Sequence, residues 1–193
     1  MLSIFKNVIT VLLLRNIYEF LSSNENLNYV LLKKSSSFPK IKFGSDLDIL
    51  TKDSKIFIKE VTKFVKKIIW VNLNHVTKSK SHTHIDIYYK KLHILKLDLI
   101  DTTHGLDHIN DAHNFLNNII TNQEVYTYRF FLKKYNISTP NIFDEVVVRV
   151  NELETYPHKA QHKEFINLQN DDILLYINET YSKFLRNPIQ KYA

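Results

Sequence analysis

Cysteine is absent from this chain of 193 residues, which excludes disulfides, thiolate metal sites and cysteine nucleophiles together. Glycine is nearly absent, with two residues, so Gly44 stands where the backbone needs it. No stretch approaches the ~20 consecutive apolar residues of a membrane-spanning helix. Internal repeats and linker-like low-complexity segments are missing too. The apolar run Val8 to Leu14 is broken by Arg15 and Glu19 and lacks a small-residue cleavage site, so it reads as a first helix, Ser3 to about Leu21. A cytoplasmic protein is expected.

What remains is enough to fold. Hydrophobic residues make up 44% of the chain, which suits one domain with a real core, or a core with an appended helical piece. The net charge of +6 and pI of about 9.3 favour anionic partners. Lysine far outnumbers arginine, as an AT-rich coding sequence also produces. The charge therefore counts for little, although it is the sole support for an RNA-binding or RNA-modifying protein.

Tyr29 to Leu32 reads as a buried strand, residues 33–40 as a polar loop and Ile41 to Leu50 as a second strand. Asp53-Ser54 opens a helix with Phe57, Val61, Phe64 and Ile68 on one face. Strands follow at Ile69 to Val76, His84 to Tyr89 and His93 to Ile100, the last two joined at Lys90-Lys91. Helices are expected over 107–121, 123–134, 144–155, 157–168 and 171–185, with Pro157 in a first helical turn. The expected architecture is α+β: a small mixed sheet with flanking helices over residues 1–105, then an all-helical region, 106–193, packed on it.

Asp46 and Asp48 are the most informative residues. Spaced i, i+2 among aliphatics, they face the same side of a strand. Such a pair of carboxylates is costly without a divalent cation, and Mg²⁺ is the hard ion that oxygen ligands suit. Gly44-Ser45 just before them suits a close backbone approach to a phosphate. A two-metal centre needs a third acid from a neighbouring strand. Asp98, flanked by Leu97 and Leu99, is the natural choice and Asp86 the competitor. A two-residue turn at Lys90-Lys91 places those two on opposite sheet faces, and a three-residue turn places them on the same face.

With these residues in place, the chain resembles the nucleotidyltransferase superfamily, the fold of polymerase β. That pattern is a Gly-Ser or Gly-Gly turn, about ten residues, Asp-x-Asp on a strand, and a third acid on a later strand. Here Ser35-Ser36 holds the turn position, Asp46-Leu47-Asp48 the pair and Asp98 the third place. Three stretches also look like small nucleotidyltransferase-like proteins of bacterial surface-polysaccharide loci. The first runs Leu31-Leu32-Lys33-Lys34, Phe38-Pro39, Gly44-Ser45-Asp46-Leu47-Asp48-Ile49-Leu50. The second is Leu97-Asp98-Leu99. The third is Pro140, Asp144-Glu145 and His158-Lys159-Ala160-Gln161-His162.

The resemblance implies a Mg²⁺- or Mn²⁺-dependent enzyme that moves a nucleoside monophosphate from a triphosphate such as ATP to an acceptor hydroxyl. The acceptor would be a sugar phosphate, protein or RNA. Asp46, Asp48 and Asp98 would be the catalytic metal ligands, while Ser36, Gly44, Ser45 and Lys33 would contact the triphosphate. Serines replace the turn glycine and lose its freedom at positive φ. That departure favours a non-catalytic nucleotide- or partner-binding module of the same fold as the alternative.

Other groups read as structural. His104, His108 and His113, interleaved with Asp101, Asp107 and Asp111, lack a zincin signature and suit a polar surface. His158 and His162 are expected at i, i+4 on a half-buried helix face. Tyr126, Tyr128, Phe130 and Phe131 are expected in the core of the helical half.

Overall fold

A computed structural model describes residues 2–32, 41–78, 82–101, 106, 108–130 and 132–192. Helix α1 (Leu2–Ser23) is followed by strands β1 (Tyr29–Leu31) and β2 (Asp46–Thr51), helix α2 (Ser54–Val65), and strands β3 (Asn72–Lys78), β4 (His82–Tyr89) and β5 (Leu92–Ile100). The strands form one mixed sheet in the order β1-β2-β5-β4-β3. Strands β2 and β5 run parallel, and every other pair is antiparallel.

Alternation along the strands gives the sheet two different faces. Leu47, Ile49, Ile85, Ile87, Leu97 and Leu99 pack with α1 and with Phe57, Val61 and Val65 of α2. Asp53 caps α2 as the sequence indicates, its carboxylate accepting the Ile56 N–H at 3.0 Å. Val30, Leu32, Leu50 and Ile100 belong to a second cluster beneath the C-terminal helices. The next positions along that second face of β2 and β5 are Asp48, Asp46, Asp98 and Lys96. The site therefore begins where the helical cover of the sheet gives way to charged side chains.

In the sheet, two strands start three or more residues later than in the sequence reading. Strand β2 starts at Asp46, because residues 43–44 form a turn in which Gly44 has φ +76°. Strand β3 starts at Asn72, and Ile69 lies 97% exposed in the turn after α2.

The α+β class holds, yet the C-terminal half is not all-helical. After α3 (Ala112–Thr121), the segment expected as helix 123–134 enters a hairpin of β6 (Glu124–Phe130) and β7 (Lys133–Thr139). Tyr135, Ile137 and Thr139 are buried at every second position of β7. Phe130, Tyr135 and Ile137 join the α1-side cluster, with the Tyr18 ring 5.7 Å from Phe130 and 6.2 Å from Tyr135. Phe130 thus packs in the N-terminal core, while Tyr126 is 47% exposed on a strand. The hairpin ties the later half to the side of the sheet opposite its own helices.

Helices α4 (Ile142–Thr155), α5 (Ala160–Asn167) and α6 (Asp171–Thr180) and a short 3₁₀ turn (Ser182–Phe184) complete the fold. Pro157 precedes α5 in a turn instead of standing inside its first turn. Among the described residues, no helix is long and apolar enough to cross a membrane.

Candidate active site

The parallel pairing of β2 with β5 sets Asp46 opposite Lys96 and Asp48 opposite Asp98. Adjacent strands lie ~4.8 Å apart, so three carboxylates meet on one face. One oxygen from each of Asp46, Asp48 and Asp98 lies within 4.8 Å of the others. Exposure is graded across the group, from 53% for the Asp46 side chain to 11% for Asp98. The outer acid meets solvent, and the inner one is set into the sheet.

A residue overlooked in the sequence completes the arrangement. Lys96 places its Nζ 3.1 Å from Asp98 Oδ2 and 3.3 Å from Asp46 Oδ2. Burial alone lowers the Lys96 pKa, but the hydrogen bond and charge of Asp98, joined by Asp46, raise it above the ordinary lysine value. The ammonium is held charged between two of the three acids. Its signal was present in Leu95-Lys96-Leu97-Asp98, where alternation puts lysine and aspartate on one face.

Asp86 lies on this same face, by a route that the turn length did not reveal. The turn at Lys90-Lys91 is the two-residue kind, pairing Tyr89 with Leu92. A bulge beyond Tyr88 then shifts the register, so that Asp86 pairs with Lys96 and His84 with Asp98. The extra residue reverses the parity that would have separated the two aspartates. Asp86 nevertheless serves another cluster: Oδ1 lies 3.0 Å from His93 Nε2 and Oδ2 lies 3.3 Å from His84 Nε2. It bridges two imidazoles, whereas Asp98 joins the Asp46–Asp48 pair.

Of the four residues assigned to phosphate, Lys33 and Ser36 lie outside the described residues. So does the Ser35-Ser36 turn. Gly44 and Ser45 border the acids, but their backbone donors are committed inside the fold. The Gly44 N–H donates to the Ile94 carbonyl at 2.8 Å and the Ser45 N–H to the Lys42 carbonyl at 3.1 Å. Those two N–H groups are therefore engaged within the fold, and the Ser45 hydroxyl is the donor left beside the acids. Glycine at position 44 answers to the turn.

The remaining polar groups separate clearly. His104 and Asp107 lie outside the described residues, while the Asp101 carboxylate accepts the Ser54 hydroxyl at 2.9 Å. His158 is exposed in the turn before α5 and His162 is buried within it, so they share no helix face. His162 instead joins a buried ionic network between α4 and α5. Arg149 donates to Glu145 Oε1 through Nη2 at 2.7 Å and lies 3.3 Å from His162 Nδ1. Lys159 and His162 both face Glu152, and the Arg149 guanidinium lies 4.0 Å from the Phe165 ring centre. These contacts lock the two helices together.

No family model matches the chain, and no curated protein matches it. Among solved structures, MenT4, a nucleotidyltransferase toxin from Mycobacterium tuberculosis H37Rv, is similar at 9% identity with a TM-score of 0.42. The match covers 96% of this chain and 70% of that one. At that score and identity it carries no argument about chemistry. The narrower resemblance to surface-polysaccharide proteins gains nothing from it.

Proposed function

We propose that this protein is a divalent-metal-dependent nucleotidyltransferase, moving a nucleoside monophosphate from a triphosphate to an acceptor hydroxyl. The observation that carries this reading is the meeting of Asp46, Asp48 and Asp98 within 4.8 Å on two parallel strands. Three hard oxygen donors, one buried and one open to solvent, fit Mg²⁺ or Mn²⁺. Bound there, such a cation would neutralise the triphosphate and stabilise the charge that develops as phosphorus changes partners.

In the reaction, the acceptor oxygen bonds to the α-phosphorus in line and the bond to the β-phosphate oxygen breaks, releasing pyrophosphate. Asp98, beside Lys96, takes up the hydroxyl proton at a carboxylate oxygen. Asp46 and Asp48 would hold the cation that neutralises the triphosphate, and the Ser45 hydroxyl donates to a phosphate oxygen. Lys33 and Ser36, which precede β2 in the sequence, would serve the remaining phosphate oxygens. Residues 1–105 supply this machinery, and residues 106–193 bound the side from which the acceptor, a sugar phosphate, protein or RNA, arrives.

Lys96 favours one second reading. Its ammonium already offsets Asp46 and Asp98 without a metal, as a non-catalytic nucleotide- or partner-binding module of this architecture would require. Pyrophosphate release from the four ribonucleoside triphosphates, with Mg²⁺ or Mn²⁺ and candidate acceptors, separates the two. The enzyme reading expects release that falls by orders of magnitude in Asp46→Asn, Asp48→Asn and Asp98→Asn. Asp98→Asn should keep much of the nucleotide affinity. Wild-type release in any of these variants removes the catalytic assignment.

A further inference from the structure

We infer that this site takes a single divalent cation and that the Lys96 ammonium stands in for a second. The inference rests on the nucleotidyltransferase reading and specifies its metal content. Two-ion phosphoryl-transfer sites hold their cations ~3.5–4 Å apart among shared carboxylates. Here the space between Asp46 and Asp98 is taken by Lys96 Nζ, at 3.3 Å and 3.1 Å. A Mg²⁺ ion bound to Asp98 needs a metal–oxygen distance of ~2.0–2.1 Å. On the oxygen that Lys96 already contacts, that ion would press directly against an ammonium.

Displacing the lysine is opposed by its setting. Lys96 sits on a strand bonded on both sides, to β2 and to β4. Its side chain is 28% exposed. The other carboxylate opposite it, Asp86, is engaged by His84 and His93 and offers no rival anchor. Asp46 and Asp48 would then hold the single ion. On the Asp98 side, the acceptor oxygen meets a lysine charge, a compact donor with rotatable hydrogens.

The test counts Mn²⁺ on the intact protein, with a triphosphate analogue carrying a methylene between its α- and β-phosphates. Equilibrium dialysis should give one Mn²⁺ per chain for wild type, and electron paramagnetic resonance should show an isolated ion. Lys96→Met should bind two, a doubling, with the spectrum of an exchange-coupled pair. Lys96→Gln serves the same purpose if the methionine variant melts early. Two coupled ions in wild type would overturn the inference and leave the enzyme reading standing, and so would a single ion in both lysine variants. No Mn²⁺ bound by wild type, with no pyrophosphate release, would overturn both.

Discussion

Replacing Asp144 by asparagine should stabilise this protein at neutral pH. Asp144 stands in the first turn of α4, fully buried, three residues after the cap Asn141, whose side chain accepts its N–H at 2.8 Å. Its Oδ1 accepts from Asn118 Nδ2 at 2.6 Å. Burial pushes the carboxyl pKa from 3.8 to about 6, against the hydrogen bonds of Asn118 and Asn141, which lower it. A rise of roughly two pKa units corresponds to ~3 kcal/mol at 1.36 kcal/mol per unit. The sign follows from proton binding: the folded state holds this proton more tightly than the unfolded chain does. The group's stabilisation is complete below pH ~4 and is lost as pH rises through about 6. Asparagine keeps the oxygen that Asn118 needs and carries no charge. Urea unfolding from pH 4.5 to 7.5 should show the variant gaining on wild type, by ~2–3 kcal/mol at the upper end. A gap that stays constant with pH, or a variant weaker at pH 7.5, would refute the desolvation argument.

Further expectations test how sequence and fold are joined. Gly44→Ala meets no atom within 4 Å but inherits φ +76°, so thermal melting should show a loss of about 1 kcal/mol from backbone strain alone. Ile137→Ala should cost ~2–5 kcal/mol in urea unfolding, because this buried hairpin residue closes the cluster under α1; a surface-like loss under 0.5 kcal/mol would mean the hairpin is an appendage. Arg149→Met strands the buried Glu145 carboxylate and should cost ~3–5 kcal/mol, most of it regained in the double variant with Glu145→Leu.

The sequence made some elements plain because their signals are local. Asp53 caps α2, and Phe57 and Val61 fall on its buried face as a helical period requires. The hairpin at 124–139 was obscured because β6 carries apolar side chains outward, with Val125 66% and Tyr126 47% exposed. That erases the two-residue contrast of a half-buried strand, and the i, i+4 spacing of Tyr126 and Phe130 then imitates a helix face. β7 kept its alternation at Tyr135, Ile137 and Thr139. The bulge beyond Tyr88 has no such local mark. Turn length fixes parity only for an uninterrupted ladder, so no count of residues around Lys90-Lys91 could settle which face Asp86 takes.

The site was readable to a similar depth, and its limit is instructive. Carboxylates spaced i, i+2 announce themselves within one strand, and an aspartate between leucines announces a third. What joins them is a parallel register linking Asp46 to Lys96 and Asp48 to Asp98 across about fifty residues of chain, a non-local pairing that no short window contains. Lysine is the residue most easily misread under those conditions. Alone it suggests a solvated surface, and in a lysine-rich chain it draws no notice. Only the register turns Lys96 from surface charge into the counterion of the acids, and so makes the number of metal ions a question about one side chain. If Lys96→Met gains a second ion, the metal content of the site is set by the residue two positions before the third acid on its strand.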